Sequence, residues 1–333
     1  MKLARFEGAY ANDGWYIVVD DHAFPFRLVT LPETATKDSA VVSAIQHIYK
    51  RQEFQFAQLV ELAETRGFSA LLRMLHGLGP QDDLFGKALQ RDDKVVILAP
   101  VRAVSFRDFY AFEQHVQSAR KKRGLETVPE WYDVPVFYFS NTACIVGPDA
   151  PIRKPPDTDE LDYELEIAIV IAKEGRDIPV AEADDYIAGF TILNDWSARD
   201  IQRREMKVGL GPAKGKDFAT SIGPYLVTPD EMEDRVLEDR SRGKRYDLIM
   251  TATINGIEYS RGNVKDMNWT FAELIACASR NTVVCAGDLI GSGTVGTGCI
   301  TEFSEGTYAW LQVGDVVTLE IERLGSLTNA IQA

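Results

Sequence analysis

Apolar and polar positions alternate through residues 163–171. Tyr163, Leu165, Ile167, Ile169 and Ile171 fall on one face of the strand this predicts, and Glu164, Glu166, Ala168 and Val170 on the other. A second apolar run, Phe190-Thr191-Ile192-Leu193, leads straight into Asn194-Asp195-Trp196. Further strands are predicted at 15–19, behind the turn residues Asn12-Asp13-Gly14, and at 95–100. Another spans 248–254, where Asn255-Gly256 turns the chain back through Glu258-Tyr259. Residues 286–290 run into the turn Gly291-Ser292-Gly293-Thr294, and the tail from Leu311 alternates as a closing strand.

Helical spacing appears elsewhere. Ala40, Val41, Ala44, Ile45 and Ile48 recur every three or four residues, as do Phe54, Phe56, Leu59, Leu62 and Ala63, and a third short helix is expected at 69–76. Residues 271–278 read as a helix. Residues 105–124 read as another, opening at Ser105 or Arg107-Asp108 and closing at Gly124. Residues 127–141 form an aromatic loop, and 229–245 a charged surface loop or short helix. The polar stretch 78–93 and the strand after it place a boundary near residue 100. An N-terminal α+β module, 1–100, precedes a larger catalytic domain, 101–333, in an α+β, mostly β protein.

Composition narrows the function. The 333 residues suffice for one large domain or two smaller ones. A net charge of -14 argues against nucleic acid, whose phosphates need a basic footprint. It leaves room for a small anionic substrate held by a local Arg/Lys cluster or a metal. Cys144, Cys277, Cys285 and Cys299 form no CxxC and fit reduced thiols in a cytoplasmic protein. The first residues lack the apolar core of a signal peptide, and no run reaches membrane-spanning length, so no membrane partner is expected.

The chemistry concentrates after the central strand. Two carboxylates at i and i+2 inside so apolar a strand repel each other and need a positive partner. Such a pair in isolation ordinarily marks a solvated face. Here Asp195 ends a buried-looking segment and is followed by Ser197, Arg199, Asp200 and Gln202, then by glycines with Lys207, Lys214 and Lys216. Three acids without Cys or His nearby suit a hard cation such as Mg²⁺, Ca²⁺ or Mn²⁺. The glycine stretch has no Walker A spacing; it reads as a loop approaching a ligand or as a structural loop. His115 follows Asp108 by seven residues, two helical turns, with Tyr110 and Arg123 bracketing the pair. It is the candidate general base, since imidazole titrates at about 6.5. His22, His47 and His76 have no comparable neighbourhood. The turn at 291–294 can present Thr294 and backbone N–H groups to a ligand.

Six segments together resemble the fumarylacetoacetate hydrolase family. They are Asp108-Phe109-Tyr110 with His115; Leu161-Asp162-Tyr163-Glu164-Leu165-Glu166; Asn194-Asp195-Trp196-Ser197-Ala198-Arg199-Asp200-Ile201-Gln202; Gly215-Lys216-Asp217-Phe218; Ser292-Gly293-Thr294; and Gly325-Ser326-Leu327-Thr328-Asn329. The resemblance is strong over about residues 100–330. It implies a mixed β-roll catalytic domain, a homodimer and a divalent cation, most simply Mg²⁺. It assigns Asp108, Glu164, Glu166 and Asp195 as metal ligands, and His115 as the base that activates water, oriented by Glu302. Arg199, Gln202 and Lys216 become the groups that hold a developing enolate or oxyanion. Tyr110, Arg123, Tyr138 and Thr294 become substrate contacts.

The implied activity is hydrolysis of a C–C bond in a β-diketone or acylpyruvate acid such as fumarylacetoacetate, in aromatic or tyrosine catabolism. The alternative on the same scaffold is a metal-dependent lyase, an oxaloacetate-type decarboxylase or a 2-keto-3-deoxy sugar-acid dehydratase, which would not need His115. A non-catalytic, metal-stabilised assembly protein would need none of Arg199, Gln202, Lys216 and His115. Two departures touch substrate recognition. The family's hydrolases carry a Tyr after the Gln202 position, where Met206 stands here with one residue inserted before Gly211-Pro212, and Arg120 lies close enough to take the place of Arg123.

Overall fold

The protein is described by a computed structural model covering residues 2–7, 14–19, 22–25, 96–122, 124–237, 241–304 and 306–333. The helices expected between 37 and 77, His47, His76, the stretch 78–93 and Arg123 lie outside the described residues.

The first seven strands are β1 (Lys2–Glu7), β2 (Gly14–Val19), β3 (His22–Pro25), β4 (Val96–Leu98), β5 (Phe106–Phe109), β6 (Phe137–Phe139) and β7 (Ile145–Val146). Next come β8 (Ile152–Arg153), β9 (Leu161–Asp162), β10 (Leu165–Ile171), β11 (Gly175–Arg176), β12 (Ile187–Asp195), β13 (Ser197–Ala198) and β14 (Thr220–Val227). The C-terminal part adds β15 (Val236–Leu237), β16 (Arg245–Tyr246), β17 (Ile249–Ile254), β18 (Ile257–Asn263), β19 (Val283–Val284), β20 (Leu289–Gly291), β21 (Val316–Ile321) and β22 (Gly325–Gln332). Four α-helices are described: α1 (Glu113–Lys122), α2 (Val180–Ala183), α3 (Arg199–Met206) and α4 (Phe271–Ser279).

Among the described residues, an 11-stranded sheet runs β3-β2-β1-β14-β12-β10-β20-β5-β6, with β4 also on β1 and β7 on β14. A five-stranded sheet, β18-β17-β21-β22-β8, packs beside it, and β9–β13, β11–β19 and β15–β16 are two-stranded ribbons. The fold is thus the expected sheet-dominated α+β one. Asn255 and Gly256 both adopt positive φ, 52° and 80°, at the β17–β18 turn, as the Asn-Gly signal predicts for a tight hairpin.

The central strands are buried on both sides. Tyr163, Leu165, Ile167, Ile169 and Ile171 enter one core together with Phe190, Ile192 and Phe271. Each fully buried side chain of this size stabilises the fold by about 1.5–3 kcal/mol. α4 joins that core and begins with a capping box, in which Thr270 accepts from Glu273 N and Glu273 accepts from Thr270 N. Among the described residues no helix is long and apolar enough to cross a membrane.

One helix differs from its expectation. Residues 106–109 are strand, and α1 begins only at Glu113, so Asp108 and His115 do not share a helix face. Phe106-Arg107-Asp108-Phe109 pairs with β20 on one side and β6 on the other. Those ladders, formed with distant segments, outweigh the local helical reading. The aromatic stretch after it likewise contains a 3-10 turn, Pro129–Tyr132, and β6 rather than loop alone.

Candidate active site

Five consecutive strands of the large sheet, β12-β10-β20-β5-β6, build the site. β10 and β12 pair antiparallel with Leu165 opposite Asn194, so the chain leaves Glu164 and Glu166 beside Asp195. β5 runs parallel to β20 with Asp108 opposite Gly291, and Tyr138 of β6 stands opposite Asp108. Residues in register across neighbouring strands share a face, which brings Asp108 and Tyr138 to the acids of β10 and β12. Donor oxygens of Asp108, Glu164 and Glu166 lie within 4.8 Å of one another. All four acids are buried.

Their partners divide them. Lys216, buried, donates to Glu164 Oε2 and to Asp195 Oδ2, the latter at 2.8 Å. Tyr138 also donates to Asp195 Oδ2, and Thr294 Oγ1 donates to Glu166 Oε1 at 3.3 Å. Arg199 Nη2 lies 2.8 Å from Glu164 Oε1. Asp108 Oδ1, Glu166 Oε2 and Asp195 Oδ1 are buried with no hydrogen-bond partner among the described residues. Such orphaned carboxylate oxygens are costly unless a cation meets them.

The titration of the groups follows the same division. Burial pushes the Asp108 carboxyl up to about 8, with the charge of Asp195 adding to it. Burial and Asp108 raise Glu166 well above the carboxylate range. Burial raises Asp195 as well, against the pull of Lys216. Burial works on Glu164 too, but Lys216 and Arg199 outweigh it and hold that carboxyl at about 2. Glu164 therefore has two countercharges, Lys216 and Arg199; Asp195 shares Lys216, and no salt bridge to Asp108 or Glu166 is found among the described residues. Four carboxylates with three orphaned oxygens, and no sulfur or nitrogen donor in their set, fit a hard divalent ion. Gly291 keeps the space beside them open, since a Cβ there would run into Asp108 Oδ1 and crowd Glu166 Oε2.

His115, buried on α1, approaches from the side of the cluster. Its Nδ1 lies 2.6 Å from Oε1 of Glu302, on the 3-10 turn Ile300–Glu302. Glu302 Oε2 accepts from Thr297 N at 3.0 Å, which fixes the carboxylate. The Tyr110 ring meets His115 edge-on, with centroids 5.3 Å apart. Gln202 accepts from Arg199 Nη1 at 3.1 Å. Arg120, the stand-in for Arg123, is turned to the Glu126 carbonyl, 2.5 Å away.

Asp162 is a residue that sequence reasoning passed over. Fully buried, its Oδ1 accepts from Tyr163 N and Ile300 N, and its Oδ2 from Arg199 Nε and Thr301 N, at 2.8–3.1 Å. It ties Arg199 to the turn that carries Glu302. Asn194 was passed over as well; its Oδ1 accepts from Glu164 N at 2.9 Å. The available signal was an acid set between Leu161 and Tyr163 in an apolar stretch, and an amide directly before Asp195.

A family model described as fumarylacetoacetate (FAA) hydrolase C-terminal matches residues 105–332. The chain is 31% identical over 242 residues to the fumarylacetoacetase of Dictyostelium discoideum, a match covering 60% of this chain and 56% of that enzyme. It is 34% identical over 200 residues to a mitochondrial oxaloacetate tautomerase of Xenopus laevis, covering 59% of this chain and 58% of that protein. The match thus spans little more than half the length of these two relatives. A solved fumarylacetoacetate hydrolase from the psychrophile Exiguobacterium antarcticum superposes with a TM-score of 0.66 at 24% identity, over 100% of this chain and 99% of that one. At that identity the likeness speaks for the fold. The family match takes in β5, the acids of β10 and β12, Lys216 and the Glu302 turn, more than half of the sequence, and the chain belongs to the fumarylacetoacetate hydrolase family.

Proposed function

We propose that the protein is a divalent-cation-dependent hydrolase that cleaves a C–C bond in an acylpyruvate-type β-diketo acid. The observation that carries this reading is the His115–Glu302 pair, 2.6 Å apart, set beside a separate cluster of carboxylates. A cation-dependent proton shift or decarboxylation needs only the cluster; a hydrolase also needs a base for water.

Asp108, Glu164, Glu166 and Asp195 would hold the ion, Mg²⁺ being the first choice, and when bound it supplies Lewis-acid stabilisation of developing negative charge. Glu302 accepts the Nδ1 proton of His115 and leaves Nε2 to take a proton from water. The water oxygen bonds to the acyl carbonyl carbon. The C–C bond then breaks, its electron pair passes into the enolate of the departing keto acid, and the proton held on His115 Nε2 is returned to the enolate carbon. Arg199, Gln202 and Lys216 place positive charge and hydrogen bonds where that charge develops. Tyr110, Tyr138 and Thr294 line the approach of the substrate, and Arg123 is kept as a contact for its acid group. Met206 in place of the family's phenol favours an acyl group other than fumaryl.

A cytoplasmic homodimer working in aromatic catabolism is the proposed setting. The outer strand β6 supports the dimer, since it leaves Phe139 63% exposed, with Val136 just before β6 and Val104 just before the adjoining β5 also exposed.

A second reading, a tautomerase or decarboxylase of an oxaloacetate-type acid, is favoured by the 34% identity to the tautomerase. A panel of acylpyruvates, fumarylacetoacetate, oxaloacetate and keto-deoxy sugar acids separates the two. Chelated protein receives Mg²⁺, Mn²⁺ or Ca²⁺, and products are identified by mass. Cation-dependent release of two acids supports the hydrolase; loss of carbon dioxide or water, or tautomer exchange alone, moves the protein to the second reading.

A further inference from the structure

Cys299 is fully buried beside the base pair, and nothing in the proposed hydrolysis uses it. Its Sγ lies 3.6 Å from Oε1 of Glu302, the oxygen that faces His115 Nδ1. Donor atoms of His115, Cys299 and Glu302 all lie within 4.8 Å of one another. Cys299 caps the 3-10 turn on which Glu302 sits three residues later. Glu302 N donates to the Cys299 carbonyl at 3.3 Å, which holds the two residues one turn apart. His115 reaches them from α1, an element packed against that turn.

We infer that this trio is a second, inhibitory metal site, selective for a soft or borderline ion such as Zn²⁺ or Cd²⁺. Its donor set differs in kind from the all-carboxylate cluster. Thiolate and imidazole select zinc and its relatives, whereas carboxylates alone select Mg²⁺ or Ca²⁺. Distances agree with that choice. A tetrahedral zinc ion, with Zn–S of about 2.3 Å and Zn–O of about 2.0 Å, separates the two donors by about 3.5 Å. Sγ and Oε1 already stand 3.6 Å apart. The Nδ1···Oε1 separation of 2.6 Å must open, by roughly 0.7 Å, to admit the ion. Three protein ligands leave a fourth position for water. Binding releases the thiol proton, shifts the ring proton from Nδ1 to Nε2 so that the Nδ1 lone pair faces the ion, and draws Glu302 off the ring. The base is disabled while the carboxylate cluster keeps its own ion.

The inhibition half of this inference rests on the hydrolase reading; the binding half does not, and the test keeps them apart. Mg²⁺-loaded protein is titrated with Cd²⁺ while the thiolate-to-cadmium charge-transfer absorbance is followed, then with Zn²⁺ while turnover of an accepted acylpyruvate is followed. One Cd²⁺ per chain with that absorbance, and Zn²⁺ inhibition reversed by chelation and fresh Mg²⁺, are expected. Cys299→Ser should keep its turnover and lose the absorbance. It should also need about 10–100-fold more Zn²⁺ for the same inhibition, at least what removal of an outer partner of a metal ligand costs. Cys299→Ala replaces it if the serine variant melts early. Cys144, Cys277 and Cys285 are common to all three proteins and so cancel. The inference is overturned if wild type shows no charge-transfer absorbance beyond that of the variants, or if Zn²⁺ inhibits the variants as strongly as wild type.

Discussion

Glu302 meets His115 across 187 residues of chain, its Oε1 lying 2.6 Å from Nδ1 of the ring. In the proposed hydrolysis this pair sets which ring nitrogen faces the water. His115→Ala is expected to lower the rate of C–C cleavage by about 10²–10⁴-fold. Glu302→Gln should lower kcat at the same step while changing KM less. Both proteins should still bind a divalent cation, as read by calorimetry. Wild-type turnover in either variant would remove the base from the mechanism.

Cation binding should depend on pH in one direction. The Asp108 carboxyl, ordinarily at 3.8, stands at about 8 in the stripped protein, chiefly through burial. A cation requires the carboxylate, so its affinity rises with pH up to about 8 and levels off above. A group whose value is raised on folding contributes stability that is whole below its ordinary value and is lost as pH rises through the folded one. The stripped protein therefore loses stability over that window, and the cation restores it. The gap in Tm between loaded and stripped protein should widen from about pH 5 to pH 8; a gap independent of pH contradicts this.

Lys216 touches two of the four acids and so competes with the ion for them. Lys216→Met should cut turnover by about 10²–10³-fold, the usual loss for one donor to a developing oxyanion. Its cation affinity should be equal to or greater than that of wild type. A variant that binds the cation more weakly would show that Lys216 organises the acids rather than acting on the substrate.

Asp162 accepts four hydrogen bonds in the core and pairs with Arg199. Asp162→Ala leaves a buried guanidinium short of a partner and should cost about 3–5 kcal/mol in denaturant unfolding. Asp162→Asn keeps the shape without the charge and should cost less. An alanine variant within about 0.5 kcal/mol of wild type would show that Arg199 finds compensation elsewhere.

The strands carrying the acids were legible because a strand buried on both faces is mostly apolar, as at 167–171 and 190–193, with one face of 163–171 wholly apolar. The polar residues that end those runs are the site. Residues 106–109 were not legible as strand. Arg107 and Asp108 look like helix-surface residues until β6 and β20, distant in sequence, lend them a ladder. Arg107 is in fact buried against Asp288, 181 residues away. Glu302 was reached through resemblance alone, since a lone acid so far from His115 has no periodicity to mark it. Asp162 escaped because two of its partners are backbone N–H groups of residues 300 and 301, and backbone donors leave no trace in residue type.

Gly291 has a consequence for how this scaffold can change. It forms a floor under Asp108 and Glu166 on which no side chain fits. Any substitution there disturbs the Asp108 and Glu166 carboxylates, so the acid cluster is closed to gradual adjustment from below. By contrast, Val208 and Leu210, in the loop after α3, stand 83% and 95% exposed, where a larger or smaller side chain meets little packing. A change of charge at the acid cluster therefore has to come from the acids themselves, because the backbone beneath them has no room for a new side chain.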